Sequence, residues 1–169
     1  MSSVGRIMRT RLAELRDAEA TRAIYNLEVL ESTVTFDIVP RTLADQQQWI
    51  REHSGGHPAI VAVDAADRVL GFASLSPFKP RAAYAPTVED SVYVHREGRG
   101  RGIGELLLRD ILSLGTDHGF HSVIARIVGG HDASIALHRK CGFEQIGSER
   151  EVGRKFGRWL DVVLMQRML

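Results

Sequence analysis

The chain has 169 residues, of which 44% are hydrophobic and 25% are charged, and its formal net charge is +1 at pH 7. This length and composition predict one soluble globular domain over residues 1–169 and disfavour nucleic acid and anionic membranes as partners. A single cysteine excludes an internal disulfide, and the seven histidines lack ligand spacing, so no metal is expected. No apolar run reaches the length of a membrane span and the N-terminus lacks a secretory pattern, which predicts a cytoplasmic protein.

Apolar spacing predicts alternating strands and helices through the first half of the chain. Asp17 is expected to cap a first helix and Thr42 a second one, because both residue types accept hydrogen bonds from helix N-termini. A polar turn at Asp64–Arg68 predicts a hairpin. The predicted elements are a strand over Met8–Leu15, a helix from Asp17 to Leu30, a helix over Thr42–His53, and strands over Ile60–Val63 and Val69–Leu75.

The second half continues the alternation after an irregular connection that contains Pro77, Pro80 and Pro86 and is expected to lie over a pocket. Gly142 is placed to end a short helix. The fold class expected is α/β (α+β), a mixed sheet with helices on both faces. The predicted elements are strands over Thr87–Val94 and Ser122–Val128, helices over Ile103–Asp117 and Ala133–Cys141, and final strands over Phe143–Ser148 and Trp159–Met168, joined by the basic connection Glu151–Arg158.

The segment Val92–Gly104 carries the strongest functional signal. Alternating β-forming residues end in a turn rich in Gly and Arg, and an apolar helical face that starts at Ile103 follows. Unpaired N–H groups and the positive dipole end at a helix N-terminus suit a pyrophosphate. The segment lacks the Gly-Lys-Ser/Thr ending of a nucleoside-triphosphate loop and the glycine spacing of a dinucleotide fingerprint. A glycine-rich turn without a ligand is the alternative.

Arg99, Gly102 and Gly104 match the acyl-CoA signature Gln/Arg-x-x-Gly-x-Gly/Ala of the GCN5-related N-acetyltransferases (GNAT), and the sequence resembles this family over nearly the whole chain. Further blocks resemble the phosphinothricin and methionine sulfoximine N-acetyltransferase branch. They are residues 24–26, 32–36, 71–74, 87–89 with 91–95, 133–138 and 152–161. Several blocks in the same order are far more specific than one loop.

The resemblance implies the GNAT fold, with a mostly antiparallel mixed sheet, and a homodimer that uses acetyl-CoA as co-substrate. The reaction it implies is direct acetyl transfer, in a ternary complex, to the α-amine of a small amino-acid analogue such as phosphinothricin or methionine sulfoximine or sulfone. Resistance to such a compound and a housekeeping role are the two alternatives for its biological role. Strand backbone would bind the pantetheine arm, and loop amides would bind the pyrophosphate. The residues implied are Val92, Tyr93 and Val94 on the strand, Arg99, Gly100, Arg101, Gly102, Ile103 and Gly104 in the loop, and His131 and Ser134 further on.

The resemblance also implies catalytic residues. Glu89 would take a proton from the ammonium of the acceptor, and simple charge attraction is its alternative role. His138 stands where many members carry a Tyr that protonates the departing thiolate, and a histidine satisfied within its helix is the alternative. Asp90 stands where many members carry His, and His131 replaces an Asn. Ser134 either caps its helix or contacts CoA.

An acceptor that carries a carboxylate and a phosphinate or sulfoximine group needs cations for binding. Two other functions stay open, namely acetylation of a peptide or protein N-terminus or another amine, and a non-catalytic CoA-binding sensor. Lys155 is a second choice for substrate binding and alternatively serves the dimer interface. The substrate-binding candidates are Lys79, Pro80 and Arg81 in the irregular connection, Glu89, Asp90 and Ser91 on the strand, and Lys155 in the closing basic segment.

Overall fold

The computed structural model describes residues 8–169, and Met1–Ile7 of the predicted domain lie outside the described residues. No helix in this part of the chain is long and apolar enough to cross a membrane. Short 3₁₀ turns at Leu15–Asp17, Ala82–Tyr84 and Arg96–Gly98 lie between the main elements. In chain order these are β1 (Arg9–Leu12), α1 (Ala18–Glu31), α2 (Leu43–Glu52), β2 (Ala59–Val63), β3 (Val69–Pro77), β4 (Thr87–Val94), α3 (Ile103–Asp117), β5 (Ser122–Val128), α4 (Asp132–Lys140), β6 (Glu144–Lys155) and β7 (Arg158–Met168).

The strands form one seven-stranded mixed sheet in the order β1-β2-β3-β4-β5-β7-β6. Neighbouring strands are antiparallel except β4 and β5, which run parallel. The β4–β5 pairing covers only Thr87–Glu89 with Ser122–Ile124, so the later parts of the two strands diverge. A wedge therefore opens between the β1–β4 half of the sheet and the β5–β7–β6 half.

Helices cover both faces of the sheet because the central strands carry apolar residues on both sides. On one face, α3 buries Leu107, Leu108 and Ile111 against the sheet. On the other face, Tyr25 of α1 packs in a second buried cluster that includes Phe72 of β3. These two layers fix β4 in the middle of the molecule. β4 is the strand that carries the predicted acetyl-CoA site.

The predicted role of Asp17 as the cap of α1 is wrong. Asp17 stands immediately before α1, but its side chain makes no capping hydrogen bond to that helix. Its buried carboxylate accepts two hydrogen bonds from Arg11 of β1, at 2.7 and 2.8 Å, and one from the Glu14 amide at 2.8 Å. The carboxylate therefore ties the 3₁₀ turn to β1, because an ion pair satisfies it better than the orphan amides of α1 do.

The predicted basic connection Glu151–Arg158 is mostly strand. β6 continues to Lys155, and the turn to β7 consists of Phe156 and Gly157, both with positive φ. The strand register shifts between Glu149 and Gly153, which breaks the alternation that marks a strand in the sequence. The two last strands therefore form a long hairpin with a tight tip.

Candidate active site

A cavity of about 770 Å³ fills the wedge between β4 and β5. Its walls come from β4, the glycine-rich loop, β5, the start of α4 and the segment that follows α1. The structure thus brings together residues that lie far apart in the sequence. Of the predicted site residues, the lining includes Glu89, Asp90, Ser91, Val92, Tyr93, Val94, Arg99, Gly100, Gly102, Ile103, Gly104, His131, Ser134 and His138.

Five predicted residues, among them Lys155, lie outside the cavity lining. Lys79, Pro80 and Arg81 are exposed on the connection between β3 and β4. This connection enters β4 at Thr87, where β4 and β5 are still paired, so it lies at the closed end of the wedge. The Lys79 ammonium lies over the rings of two aromatic neighbours, 4.9 and 5.2 Å from their centres. Arg101 is exposed at the turn before α3.

Lys155 is buried at the end of β6, next to the cavity wall but not in its lining. Its ammonium donates a hydrogen bond to the Thr35 carbonyl at 2.9 Å, and burial lowers the pKa of Lys155. Thr35 and its neighbours Val34 and Phe36 line the cavity. Lys155 therefore shapes the cavity wall by holding the segment after α1.

The edge of β4 that faces β5 is open to a ligand. β3 pairs with β4 from Val88 to Val94 on one side, whereas pairing with β5 on the other side ends at Glu89. Backbone groups beyond Glu89 on the β5 side therefore have no strand partner within residues 8–169. An extended molecule that carries its own amides, such as a pantetheine arm, fits this edge as an added strand does.

The glycine-rich loop presents the N-terminus of α3 to the same cavity. Gly100 and Gly102 have φ of 73° and 80°, a conformation that side chains rarely adopt. Gly102 occupies the N-cap position of α3 and offers no side-chain cap. The amides of the first turn, starting at Ile103, thus keep their capacity to bind an anion. This geometry fits the pyrophosphate expected from the sequence.

The Arg99 side chain is held by an acid on α1. Its guanidinium donates a hydrogen bond to Glu28 at 2.8 Å, and Arg96 donates to the same carboxylate oxygen at 3.0 Å. Burial works to raise the pKa of Glu28, but hydrogen bonds from Arg96 and Ser32 and the charge of Arg99 hold it below its ordinary value. Glu28, which sequence reasoning missed, therefore anchors the glycine-rich loop to α1. Because the Arg99 side chain is engaged by Glu28, the backbone amides are the part of the loop that can bind an anion.

Glu89 lies half-buried in the cavity wall at the point where β4 and β5 part. Burial raises the pKa of its carboxyl group, and the charges of Asp90 and Glu149 raise it further, against the opposing charge of Arg126. A carboxylate with a raised pKa accepts a proton more readily at neutral pH. A carboxylate in this position, with a raised pKa, can accept a proton from a molecule in the cavity.

Arg126 is a cavity residue that sequence reasoning missed. It lies on β5, in a strand that otherwise contains only apolar residues and a serine, and it lines the same cavity as Glu89. Its guanidinium forms an ion pair with Glu149 of β6 at 3.1 Å. An arginine in the middle of a predicted buried strand was the available signal, because such a residue needs an acidic partner or a ligand.

His138 and Asp90 form a buried pair in the cavity wall. His138 Nε2 lies 2.9 Å from Asp90 Oδ2, and Nδ1 lies 2.7 Å from the Ser134 carbonyl oxygen. Burial works to lower the pKa of His138, but the hydrogen bond and charge of Asp90 raise it overall. Both ring nitrogens face acceptors, so the ring favours its doubly protonated form. The other oxygen of Asp90, Oδ1, is buried without a hydrogen-bond partner in the described residues.

We expect Asp90→Asn to lower the pKa of His138, because asparagine keeps the shape of the side chain but loses the charge that favours the imidazolium. The loss of a charged hydrogen bond is expected to cost roughly 1–3 kcal/mol of unfolding free energy. Imidazole NMR signals followed against pH measure the first effect and urea unfolding the second. Asp132→Asn, which removes an exposed charge from the first turn of the same helix, is the matched control. An unchanged titration of His138 in Asp90→Asn would show that Asp90 does not set its charge.

Ser134 and His131 both lie in the cavity wall at the start of α4. His131 occupies the N-cap position, so Ser134 lies inside the first turn and the capping role is wrong for it. His131 Nε2 lies 2.9 Å from the Thr33 hydroxyl, and burial lowers the pKa of His131. This contact joins α4 to the segment after α1 across the wedge.

The open edge of β4, the wedge beside it and the glycine-rich turn at a helix N-terminus define an acyl-CoA-binding transferase. The model of the acetyltransferase (GNAT) domain family matches residues 10–164, and the chain belongs to this family. The expected family and its mixed-sheet fold are thereby confirmed. The protein is an acetyltransferase, and acetyl-CoA is the donor that its cavity fits.

Three similar proteins span nearly the whole chain. The L-methionine sulfoximine/L-methionine sulfone acetyltransferase of Pseudomonas paraeruginosa is 42% identical over 155 residues, which cover 91% of this chain and 90% of the relative. A solved structure of a GNAT superfamily phosphinothricin acetyltransferase from Sinorhizobium meliloti, in complex with AcCoA, has a TM-score of 0.92 and 40% identity and covers 96% of this chain and 88% of that one. A ribosomal-protein-alanine N-acetyltransferase from Brucella melitensis has a TM-score of 0.92 and 38% identity and covers 95% and 99%.

Proposed function

We propose that this protein is a cytoplasmic enzyme that transfers acetyl from acetyl-CoA to the α-amine of a small amino-acid analogue such as methionine sulfoximine, methionine sulfone or phosphinothricin. The observation that carries the proposal is the position of Glu89, which lies in the wall of the cavity where the open edge of β4 begins. Similar proteins whose names state that they acetylate these compounds support this acceptor class. Acetylation removes the charge of the α-ammonium, which would be the basis of a resistance role.

In the proposed mechanism, acetyl-CoA supplies the acetyl group as a thioester bound along β4. Glu89 accepts a proton from the acceptor's ammonium and so exposes the lone pair that attacks the thioester carbon. Backbone groups of Val92, Tyr93 and Val94 hold the donor in register. His138, charged through its contact with Asp90, supplies the proton that the leaving thiolate needs, and it recovers a proton from solvent. As the C–S bond breaks, the nitrogen loses a second proton to solvent, and Glu89 then releases its own. The net products are the N-acetyl acceptor, free CoA thiol and one proton.

The test is acetyl-CoA-dependent thiol release with a panel of acceptors. The panel consists of methionine sulfone, methionine sulfoximine, phosphinothricin, ordinary amino acids, a polyamine and a peptide whose N-terminal residue is alanine. Turnover concentrated on the sulfone, sulfoximine and phosphinate compounds supports the proposal. Turnover on the peptide alone would instead support the second candidate, an N-terminal acetyltransferase, which the likeness to the Brucella melitensis protein favours. Tight acetyl-CoA binding without turnover on any acceptor would point to a sensor.

We propose further that the enzyme is a homodimer formed through an exposed apolar patch. The patch comprises Ile38, Val39 and Phe156, which are between 57% and 74% exposed. The two segments lie together, because the Phe36 ring fills the space where a Cβ atom at Gly153 would stand. The Lys155 ammonium binds the Thr35 carbonyl oxygen at 2.9 Å and lies 5.2 Å from the centre of the Phe156 ring. Large exposed apolar side chains gathered at one place are typical of protein interfaces. A second copy of the chain is the partner proposed.

We expect Phe156→Asp to weaken the dimer by at least about tenfold, since a charge in place of an aromatic side chain buried on association disrupts an interface centre. Light scattering after size exclusion, over a concentration series, measures the dissociation. Leu12→Asp alters a comparably exposed leucine, 58% against 57% for Phe156, on the far edge strand and is the control. A monomeric wild type at all concentrations, or equal effects of both variants, would contradict this interface.

A further inference from the structure

We propose that Arg126 binds the α-carboxylate of the acceptor and selects α-amino acids over amines that lack an acid group. This inference rests on the proposed function, because it specifies how the acceptor is held. It begins from strand geometry. Glu89 and Ile124 are paired residues of β4 and β5, and side chains alternate along a strand, so Arg126 lies on the same face as Glu89. Both residues line the cavity.

Part of the Arg126 guanidinium has no hydrogen-bond acceptor within residues 8–169. Glu149 engages only Nη2, at 3.1 and 3.3 Å from its two carboxylate oxygens. Within residues 8–169 the structure gives Nε and Nη1 no acceptor. A guanidinium presents five N–H donors in a planar fork, and two adjacent donors match the two oxygens of a carboxylate. Glu149 thus orients the guanidinium and leaves a donor pair for a second anion.

The other cations expected from the sequence are placed differently. Lys79 and Arg81 lie on the exposed connection at the closed end of the wedge. Lys155 is buried against backbone carbonyls, and Arg99 is bound to Glu28 in the loop that serves the pyrophosphate. Among these lysines and arginines, Arg126 is therefore the one that lies in the cavity on the strand face of Glu89.

Glu89 and Arg126 together match the charges of an α-amino acid. Such a molecule carries an ammonium and a carboxylate on one carbon, and the two side chains offer an anion and a cation on neighbouring strands of one face. Binding the carboxylate at Arg126 places the ammonium toward Glu89, which fixes the orientation of the nitrogen before it loses its proton. An amine without the acid group gains only the contact with Glu89.

The experiment compares two acceptors with the full-length enzyme, methionine sulfone and its carboxamide, in wild type and Arg126→Gln. We expect kcat/KM for the acid to fall about 10- to 100-fold in the variant, mainly through KM, because a charged hydrogen-bond pair is lost. For the carboxamide we expect a change below about threefold, since it carries no carboxylate. For each acceptor, kcat/KM of the variant is divided by that of wild type. Comparing these two ratios removes the effect of the different basicity of the two amines. Arg150→Gln, an exposed arginine of β6, is the matched control.

A drop of equal size for acid and carboxamide would overturn the inference, because Arg126 would then act on folding or on the donor. Should Arg126→Gln fail to fold, Arg126→Lys keeps the charge and loses the fork, and the inference then requires a partial, acid-specific rise in KM. Wild type that acetylates the acid and carboxamide equally well would overturn this inference and leave the proposed acetyl transfer standing. Wild type without turnover on any amino acid would overturn both.

Discussion

Replacing Glu89 with glutamine is expected to lower kcat/KM for methionine sulfone by roughly 10²- to 10⁴-fold, the range that a general base contributes. Glutamine keeps the size and most of the polarity of the side chain but cannot accept the proton of the ammonium. The equilibrium affinity for acetyl-CoA should be unchanged, because we expect the donor to bind the backbone of β4 and the N-terminus of α3. Initial rates and acetyl-CoA titrations of the variant measure both quantities.

The pH profile gives an independent check of the same residue. Burial raises the pKa of Glu89, and the carboxyl group works as a base only when ionised, so wild-type kcat/KM should fall as pH drops through this raised pKa. The residual activity of Glu89→Gln should lack that acid limb. Glu144→Gln, an exposed glutamate of β6, is the control and should behave as wild type. A variant with nearly full activity and an unchanged profile would show that Glu89 is not the base.

Gly102→Ala is expected to raise the KM for acetyl-CoA by about tenfold or more. A side chain at a φ of 80° costs roughly 1–2 kcal/mol, which the loop relieves by turning away from the left-handed conformation. That movement displaces the first-turn amides of α3 by which we expect the pyrophosphate to be bound. The KM for the amine should change little, because we propose that the acceptor binds near Glu89 and Arg126.

Gly119→Ala is the matched control for Gly102→Ala. Gly119 follows the same helix at its other end, its φ is 81°, and a methyl group there meets no atom within 4 Å, as at Gly102. Both variants should therefore lose similar unfolding free energy, measured by urea denaturation, while only Gly102→Ala loses donor affinity. Equal KM values for acetyl-CoA in the two variants would argue against a pyrophosphate at the start of α3.

The strand, loop and helix from Thr87 to Asp117 were predictable with the bounds observed, because their signals are local. Period-two and helical apolar spacing, with glycines between them, depend on neighbouring residues alone. β6 was predicted too short, since a register shift near Glu149 hides its alternation. Local patterns therefore predict regular elements well and bulged strands poorly.

The contacts of the candidate site depend on which strands meet, and this the sequence does not display. In the sequence, Arg126 is only a polar residue in an apolar strand. The pairing register of β4 and β5 places it on the same sheet face as Glu89. Asp90 and His138 are 48 positions apart, and their contact requires α4 to pack beside β4. Lys79 and Arg81 were predicted because the expected acceptor needs cations, yet the described structure puts them at the closed end of the wedge. Residue type was predictable at these positions, and mutual distance was not.

The wedge between β4 and β5 also bears on what holds the molecule together. Only three residues of each strand bridge the two halves of the sheet, so the remaining length of the gap lacks the cross-strand hydrogen bonds found elsewhere in the sheet. A donor that pairs with β4 and contacts β5 would replace those missing bonds and act as an interior strand. Substrate saturation and folding stability are then linked quantities, and a donor at 100 times its Kd adds about 2.7 kcal/mol to the free energy of unfolding. The enzyme would be at its most rigid only while it is loaded for reaction.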